Sequence, residues 1–425
     1  VVSGILEEVF KFQKRGITIV APTHKALSVI KDKIEGYFTR ITGYPTTLAY
    51  NTLASVLKME RVYNYDTQTT DFAMGPSTEK YALKNDKLVI IDEASMVTKE
   101  QYEMLLHLSN KNKITLIFLG DIKQLPPVKE SSSPAVVQEV SPNLFSFTLT
   151  EIIRQGADNP ILDVAHNLDM VKSFKPHLKN MKGYLFSTNF NAVLQNLSKA
   201  GGSSDMKYLS WTNTDVDMVN EETRKLSFGD NPLEIYEGET IISQSNSKFA
   251  ANNEEILVET IKSKTSVNSL CTTTDLYKLE KKYWDKIKVL EAFTFLQYNS
   301  GLCIKDNRLY FVCEVFEVNG KYLIIKKGQE KEYKQAIQIF KKLVKEKIIS
   351  WKDLADFEET FLKYKYSYAM SVHKSQGSTF KNVIINLKDI ERNKKEYNEI
   401  LYTAITRASD KVIFYYPVNK DQENE

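Results

Sequence analysis

The sequence has no glycine-rich phosphate loop of the form G-x-x-x-x-G-K-[ST]. Only one of its 16 glycines, Gly320, precedes a lysine, and Tyr322 then stands where the loop needs serine or threonine. Gly320 also follows Asn319, and Asn-Gly is the preferred pair for a two-residue type I′ hairpin turn. The sequence as given therefore offers no local cradle of backbone N–H groups for the phosphates of a nucleotide.

Cysteines and long apolar runs are also scarce. The three cysteines, Cys271, Cys303 and Cys313, lack metal-type spacing, so we expect reduced thiols rather than disulfides or a zinc site. No apolar run approaches the ~18–20 residues that a membrane-spanning helix requires. The first residues also lack the pattern of a signal peptide. These absences predict a cytoplasmic protein without a membrane partner.

An excess of one charge is absent too, since the formal net charge of the 425 residues is only +3. That value does not point to nucleic acid, but it does not exclude a local basic groove. The length suggests two to four domains, and a hydrophobic content of 42% is ordinary for a globular protein. Composition alone leaves the function open.

The first 150 residues contain apolar runs that end in polar residues. "ITIVAPTH" (17–24), "KLVIIDEAS" (87–95) and "KITLIFLGD" (113–121) share this form. Runs that are apolar on both faces are typical of a parallel sheet covered by helices. Ligands of such sheets bind at the carboxyl ends of the strands, where these polar residues would lie. We predict one α/β domain over 1–150, with an inserted hairpin arm at about 59–86.

A second α/β domain is predicted from 151–265 together with 367–425. Its candidate strands are "MKYLSWTN" (206–213), "NVIINL" (382–387) and "KVIFYYP" (411–417). Between the two segments, residues 266–366 read as a small β-barrel with a helical hairpin. In that hairpin the second helix begins at a Ser350–Asp353 capping box and carries Leu354, Phe357, Phe361 and Tyr364 on one face.

Asp92 and Glu93 are the strongest candidates for chemistry. A hard carboxylate can bind Mg²⁺, and an adjacent one can orient an attacking water. The alternative is an acidic pair that only favours the positive end of a helix dipole. Asp121 and Gln124 of "LGDIKQLPPV" (119–128) follow the next buried strand, where a glutamine can sense a terminal phosphate.

Two arginines lie in motif-like stretches. Arg154, in "TLTEIIRQGADNPI" (148–161), can neutralise charge on a transferring phosphoryl group, or it can form a surface salt bridge. Arg407, on the apolar helix of "LYTAITRASDKVIF" (401–414), is either a second phosphate clamp or a buried structural residue. "SVHKSQGSTF" (371–380) adds hydroxyl, amide and basic donors suited to phosphate oxygens.

Five stretches in this order resemble the successive motifs of superfamily 1 helicases. They are APTHKA (21–26), IIDEAS (90–95), GDIKQLPPV (120–128), SVHKSQGST (371–379) and YTAITRA (402–408). The last two are most similar to the 5′→3′ branch, the Dda-like and RecD-like enzymes. The resemblance implies two RecA-like parallel-sheet domains with an inserted hairpin arm, and an inserted SH3-like barrel at 266–366.

The resemblance also implies roles for individual residues, with ATP and Mg²⁺ as substrate and cofactor. Asp92 would hold Mg²⁺ and Glu93 would activate water, while Gln124 would sense the γ-phosphate. Arg154 and Arg407 would be arginine clamps, and Gln376 and Gly377 would face the nucleotide. The nucleic-acid-binding positions implied by the motifs are Pro22, Thr23, His24, Thr52, Ser371, His373 and Lys374. In the arm at 59–86, Phe72 or Tyr63 would be the strand-separating wedge.

The sequence departs from the family pattern at its start. Residues 1–16 read as the helix that follows the phosphate loop in the family, so we expect a sequence truncated just after that loop. The leading hypothesis is an ATP-dependent 5′→3′ DNA helicase that acts as a monomer on single-stranded DNA and fork duplexes. It would serve replication, recombination or repair, with a single-strand-binding or replisome protein as a further partner.

Three alternatives stay open. A non-hydrolysing remnant that binds single-stranded nucleic acid would match the sequence as written. An RNA helicase of the same superfamily would share every motif, and a preference for the 2′-hydroxyl would distinguish it. A helicase domain detached from a larger relaxase or recombination complex would look the same and would need a partner for loading.

Overall fold

The computed structural model forms two compact units, residues 1–221 with 368–425 and residues 222–367. The residues it describes are 1–12, 16–39, 48–64, 69–137, 145–149, 159–172, 183–203, 205–230, 233–245, 247–250, 252–271, 302–305, 308–345 and 350–417. Within these ranges, no helix is both long and apolar enough to cross a membrane.

The strands and helices are numbered in chain order. The strands are β1 (Ile17–Ala21), β2 (Leu48–Thr52), β3 (Glu60–Asn64), β4 (Thr69–Ala73), β5 (Leu88–Ile91), β6 (Thr115–Phe118), β7 (Tyr184–Ser187), β8 (Met206–Ser210), β9 (Thr240–Ser243), β10 (Glu255–Leu257), β11 (Ile261–Cys271), β12 (Leu302–Lys305), β13 (Arg308–Val318), β14 (Tyr322–Ile325), β15 (Tyr364–Tyr366), β16 (Ala369–Ser371), β17 (Phe380–Asn386) and β18 (Ala408–Tyr415). The helices are α1 (Val2–Val9), α2 (His24–Phe38), α3 (Leu53–Val56), α4 (Pro76–Tyr81), α5 (Lys99–Asn112), α6 (Ile161–His166), α7 (Asp169–Lys172), α8 (Phe190–Ala200), α9 (Asn213–Phe228), α10 (Glu330–Lys345), α11 (Trp351–Glu358), α12 (Val372–Ser375), α13 (Leu387–Ile390) and α14 (Tyr397–Ile405).

The first sheet is parallel and has the strand order β2-β1-β5-β6. Every residue of β1 and of β5 is buried, which confirms that these runs are covered on both faces. Ile19 and Ile90 pack towards α1 and α2, whereas Val20 and Ile91 pack towards α5. The carboxyl ends of β5 and β6 therefore meet at one edge, where they position Asp92, Glu93 and the loop after Leu119.

The second sheet is also parallel, with the order β16-β8-β17-β18-β7. The three predicted strands β8, β17 and β18 form its centre and are confirmed. Short strands at the two edges, β16 and β7, complete it. The two parallel sheets, both in the unit of 1–221 and 368–425, confirm the α/β class.

The unit of residues 222–367 is built on antiparallel strands. β13 pairs with β11, β12 and β14, and the β13–β14 turn contains Asn319 and Gly320, both with positive φ. This confirms that the one Gly-Lys pair belongs to a hairpin turn. Helices α10 and α11 pack on this sheet through a core that includes Phe311, Phe340 and Phe357. The SH3-like assignment stays a prediction.

The capping box of Ser350 and Asp353 is confirmed at the start of α11. The predicted extent of that helix is wrong at its end, because α11 stops at Glu358 and Tyr364 lies in β15. β15 pairs with β9, and that pairing draws the chain into a second antiparallel sheet. A pairing partner about 120 residues away is invisible to a local helical period.

Residues 222–265 belong to the same compact unit as 266–367. A shared core explains this, since Ile241 and Ile256 pack with Val318 and Leu362. The boundary near 266 in the sequence analysis and the other domain limits stay predictions. In the first unit, β3 and β4 pair antiparallel between Glu60 and Ala73, and the role of this hairpin as an arm is likewise a prediction.

Candidate active site

Asp92 and Glu93 form a tight turn after β5. Glu93 has a φ of 51°, in the left-handed region, and precedes a short 3₁₀ turn, Ala94–Met96. A glutamate rarely adopts this conformation, and strained backbone of this kind clusters at functional sites. Both side chains are partly exposed at the carboxyl edge of the sheet. The pair is therefore placed for chemistry with a ligand rather than within a regular helix.

The turn after β5 packs directly against the turn after β6. The N–H of Ala94 donates to the carbonyl of Leu119 at 2.8 Å. A Cβ at Gly120 would lie 2.5 Å from Val136 Cγ1 and 3.0 Å from the backbone nitrogen of Ser95. Only glycine allows so close an approach. The two turns thus form one rigid edge that carries the carboxylates and the start of the Gln124 loop.

Hydrogen bonds join the Gln124 loop (Asp121–Leu125) to the second sheet. The hydroxyl of Tyr402 donates to Asp121 Oδ2 at 2.7 Å, and the N–H of Leu125 donates to Thr403 Oγ1 at 3.1 Å. Gln376 Nε2 donates to the carbonyl of Leu125 at 3.2 Å. Gln124 Oε1 is buried and has no hydrogen-bond partner among the described residues. An amide oxygen in that state suits a ligand group that donates a hydrogen bond, such as a water molecule.

Arg407 is completely buried at the end of α14. Its guanidinium donates to the carbonyl oxygens of Thr403 (3.1 Å) and Ser378 (3.2 Å) and to Thr406 Oγ1 (3.3 Å). The sequence left open whether Arg407 is a phosphate clamp or a buried structural residue. These hydrogen bonds favour the structural role. The same bonds tie α14 to the loop that precedes β17, so Arg407 also organises the edge that faces the Gln124 loop.

Gly377 lies where the second sheet meets α2 of the first. Its φ is 75°, and a Cβ there would lie 2.8 Å from Ala26 Cβ. Nearby, the Lys25 ammonium lies 5.4 Å from the centroid of the Phe380 ring, within the range of a cation–π interaction. Gln376 is buried and turned towards Leu125. This stretch therefore forms part of the junction between the two sheets.

Three predicted nucleic-acid positions are helix caps. Thr23, Thr52 and Ser371 accept hydrogen bonds from the N–H groups of Ala26, Ser55 and Lys374, respectively, at the starts of α2, α3 and α12. Each lies at the carboxyl end of a strand of a parallel sheet: Thr52 and Ser371 are the last residues of β2 and β16, and Thr23 lies two residues after β1. An N-cap hydroxyl accepts with an oxygen lone pair and keeps its own proton for donation. Capping and phosphate binding are therefore compatible at these positions.

Pro22, His24, His373 and Lys374 flank those caps. His24 is exposed, whereas the other three are partly exposed. Burial lowers the pKa of His373 from its ordinary value of 6.5, an effect that the charge of Glu396 partly opposes. The lowered pKa favours the neutral imidazole, which can accept or donate a hydrogen bond. In that form it would not contribute a positive charge to phosphate binding.

Other predicted residues lie outside what the structure describes. Arg154 is not among the described residues, and neither are the side chains of Phe72 and Tyr63, although their backbone belongs to β4 and β3. Their roles stay predictions. Across the described ranges, no cluster of three His, Cys, Asp or Glu residues could hold a metal ion. A single carboxylate such as Asp92 fits Mg²⁺, which keeps waters and phosphate oxygens as its other ligands.

Sequence reasoning missed Tyr402 and gave Thr403 no role. Both residues precede the arginine of the last motif, and they are nearly or completely buried. Their partners Asp121 and Leu125 are 281 and 278 residues away. No local pattern could reveal such contacts. The only available signal is that polar residues interrupt an otherwise apolar helix.

Comparisons with known proteins agree with this arrangement. The AAA domain family matches residues 2–173, and the UvrD-like helicase C-terminal domain family matches residues 366–415. The ATP-dependent DNA helicase dda of Enterobacteria phage T4 is 22% identical, over 96% of this chain and 90% of its own length. RecBCD enzyme subunit RecD of Buchnera aphidicola is 27% identical, over 76% of this chain and 52% of its own length.

An uncharacterized mimivirus protein is 24% identical over 93% of this chain and 88% of its own length. Among solved structures, the Pif1 helicase from Candida albicans covers 99% of this chain and 94% of its own, at 16% identity and a TM-score of 0.45. The two parallel sheets are RecA-like helicase domains. More narrowly, the chain is similar to superfamily 1 helicases of the 5′→3′ branch, among them Dda and RecD.

Replacing Gly377 with alanine is expected to loosen the junction with α2. Alanine in the left-handed region costs about 1–2 kcal/mol, and the new methyl group would also clash with Ala26. Hydrogen exchange along α2 measures the second effect and should rise in Gly377→Ala. Gly320→Ala is the matched control, because Gly320 has a φ of 67° with nothing within 4 Å of the added Cβ. Equal exchange in both variants would contradict a tight contact.

Proposed function

We propose that this protein is an ATP-dependent helicase that moves along single-stranded DNA, 5′→3′, and separates duplex DNA. One observation carries the proposal: the loop that holds Gln124 beside the Asp92–Glu93 turn is hydrogen-bonded to Thr403 of α14, whose carbonyl accepts from Arg407. A change at the nucleotide's terminal phosphate would therefore reach both sheets. Similarity to helicases of the 5′→3′ branch supports the proposed polarity.

The residues present suit ATP hydrolysis. Asp92 would hold Mg²⁺, which neutralises phosphate charge when bound. Glu93, in its left-handed turn, would orient and deprotonate a water molecule. Gln124 would accept a hydrogen bond from the attacking water with its buried amide oxygen and would donate one to the γ-phosphate with its NH₂ group. Arg154 is the proposed clamp. Arg407 is proposed to order the edge that faces the Gln124 loop, and Gln376 and Gly377 are proposed to form the junction that closes on the nucleotide.

Strand binding is proposed for the carboxyl edges of both sheets. Thr23 and Thr52 would contact phosphates from the first sheet, and Ser371 from the second, through their free hydroxyl protons. Lys374 adds positive charge, and Pro22, His24 and His373 add contacts to sugar and base. The β3–β4 hairpin, with Phe72 or Tyr63, is the proposed wedge at a fork. We propose that the protein works as a monomer in DNA replication, recombination or repair.

The test is ATP turnover by the full-length gene product, measured with and without single-stranded DNA. Strong stimulation by DNA is the expected result. Polarity follows from unwinding of partial duplexes with either a 5′ or a 3′ tail, and we expect activity on the 5′ tail. If the protein binds DNA but hydrolyses no ATP, the helicase proposal is wrong and a non-hydrolysing single-strand-binding protein takes its place. Stimulation by RNA of the same sequence, but not by DNA, would favour an RNA helicase.

A further inference from the structure

The residues on both sides of Gln124 are held by α14 of the second sheet. On one side, Asp121 accepts a hydrogen bond from the Tyr402 hydroxyl with Oδ2, while its Oδ1 accepts the N–H of Lys123 within the loop at 3.0 Å. On the other side, the N–H of Leu125 donates to Thr403 Oγ1. The residues that flank Gln124 are therefore anchored by two adjacent residues of α14, Tyr402 and Thr403.

The Leu125 anchor is fully buried. Leu125 and Thr403 are both 0% exposed, so the hydrogen bond between the Leu125 N–H and the Thr403 hydroxyl is shielded from water. Both backbone polar groups of Leu125 bond to side chains of the second sheet, Thr403 and Gln376. Because a buried backbone group needs a partner, the loop cannot leave the second sheet without a cost. Any displacement of α14 would therefore act on the loop.

Thr403 also contacts Arg407. Its hydroxyl accepts from Leu125, and its carbonyl accepts from Arg407 Nε at 3.1 Å. A continuous series of hydrogen bonds therefore runs from the Gln124 loop through one residue to the buried arginine. The ammonium of Lys123 lies 5.9 Å from the centroid of the Tyr402 ring and adds a contact at the other anchor.

We infer that Tyr402 and Thr403 are positioning residues that couple Gln124 to Arg407. They hold the Gln124 side chain at the position where it would contact the terminal phosphate. A displacement of Gln124 would then also displace α14. This inference rests on the proposed function and deepens it. Neither residue needs to touch the nucleotide, so their removal should lower kcat with little effect on the KM for ATP.

The decisive variants are Thr403→Val, which removes the acceptor and keeps the shape, and Thr403→Ser, which keeps the acceptor. In Thr403→Val we expect faster hydrogen exchange in the peptide 119–128 and a kcat for DNA-stimulated turnover about 5- to 10-fold lower, the effect of one lost buried hydrogen bond. Thr403→Ser should restore both. Tyr402→Phe should lower kcat similarly. The control for Tyr402→Phe is Tyr416→Phe, which removes the exposed hydrogen bond from the Tyr416 hydroxyl to Glu391.

A double-mutant comparison distinguishes positioning from general stabilisation. If Thr403 acts through Gln124, then Thr403→Val should have little further effect on kcat in a Gln124→Ala background. An undiminished effect there would overturn the inference, as would unchanged exchange and kcat in Thr403→Val. If the wild-type protein hydrolyses no ATP, the proposed function fails and the coupling role with it. Normal wild-type turnover that Thr403→Val leaves intact contradicts the coupling role alone.

Discussion

Glu93→Gln is expected to lower DNA-stimulated ATP turnover about 10²–10⁴-fold, the usual contribution of a positioned general base. Glutamine has the same shape but cannot take a proton from water. The position is specific because Glu93 sits in a left-handed turn that is bonded to the neighbouring strand end through Ala94 and Leu119. Binding of single-stranded DNA should not change, because the proposed strand contacts lie at other side chains.

The measurement pairs steady-state ATP hydrolysis with fluorescence anisotropy of a labelled oligonucleotide. Glu103→Gln is the matched control: Glu103 lies on α5 of the same sheet, is exposed and forms only a 3.9 Å ion pair with Lys99. We expect wild-type turnover from it. Glu93→Gln with turnover within about twofold of wild type would be too small a loss for a general base, and the assignment of Glu93 would then be wrong.

Arg224→Met is expected to lower the free energy of unfolding of residues 222–367 by about 3–5 kcal/mol, because it leaves a buried carboxylate without its partner. Arg224 Nε lies 2.6 Å from Glu239 Oε1, and the two side chains are 4% and 0% exposed. The guanidinium also donates to the carbonyl of Leu233 at 2.8 Å and lies 3.8 Å from the centroid of the Tyr366 ring. It thereby joins α9 to the sheet β10-β9-β15.

Urea unfolding followed by circular dichroism measures the loss, and hydrogen exchange in β9 and β15 locates it. The neighbouring Lys225 provides the control, since its 2.6 Å pair with Glu222 is 45% and 40% exposed. Lys225→Met should cost less than about 1 kcal/mol. The double variant Arg224→Met with Glu239→Leu should lose less than Arg224→Met alone, because no buried charge remains. A larger loss in the double variant would contradict this account.

Periodicity and strand-end chemistry predicted the central strands of both parallel sheets and one edge strand, β6. β1, β5, β6, β8, β17 and β18 are apolar runs with distinctive ends, and Asp92, Glu93 and Asp121 lie where such ends place them. The other edge strands, β2, β7 and β16, were not predicted, because their apolar content is mixed or brief. Edge strands gain their conformation from pairing rather than from local preference.

Contacts between residues far apart in the sequence could not be predicted either. The motifs named Gln124 and Arg407, but Tyr402 and Thr403 acquire meaning only when the fold brings them to the Gln124 loop. The same holds for Arg224, one of eight arginines in the chain, whose partner Glu239 is a residue of no recognisable motif. The buried state of Arg407 could not be chosen from sequence, since a clamp and a structural arginine have the same spacing.

The capping hydroxyls of Thr23, Thr52 and Ser371 have a consequence for alanine scanning. One oxygen atom serves the helix start and is also proposed to serve the ligand, so a loss of affinity in an alanine variant would mix two causes. Asparagine and aspartate substitutions would divide them, because both residues cap helices well but present a different donor or charge. At these positions, protein stability and ligand affinity depend on the same side-chain oxygen, and only a substitution that preserves the helix cap can separate the two effects.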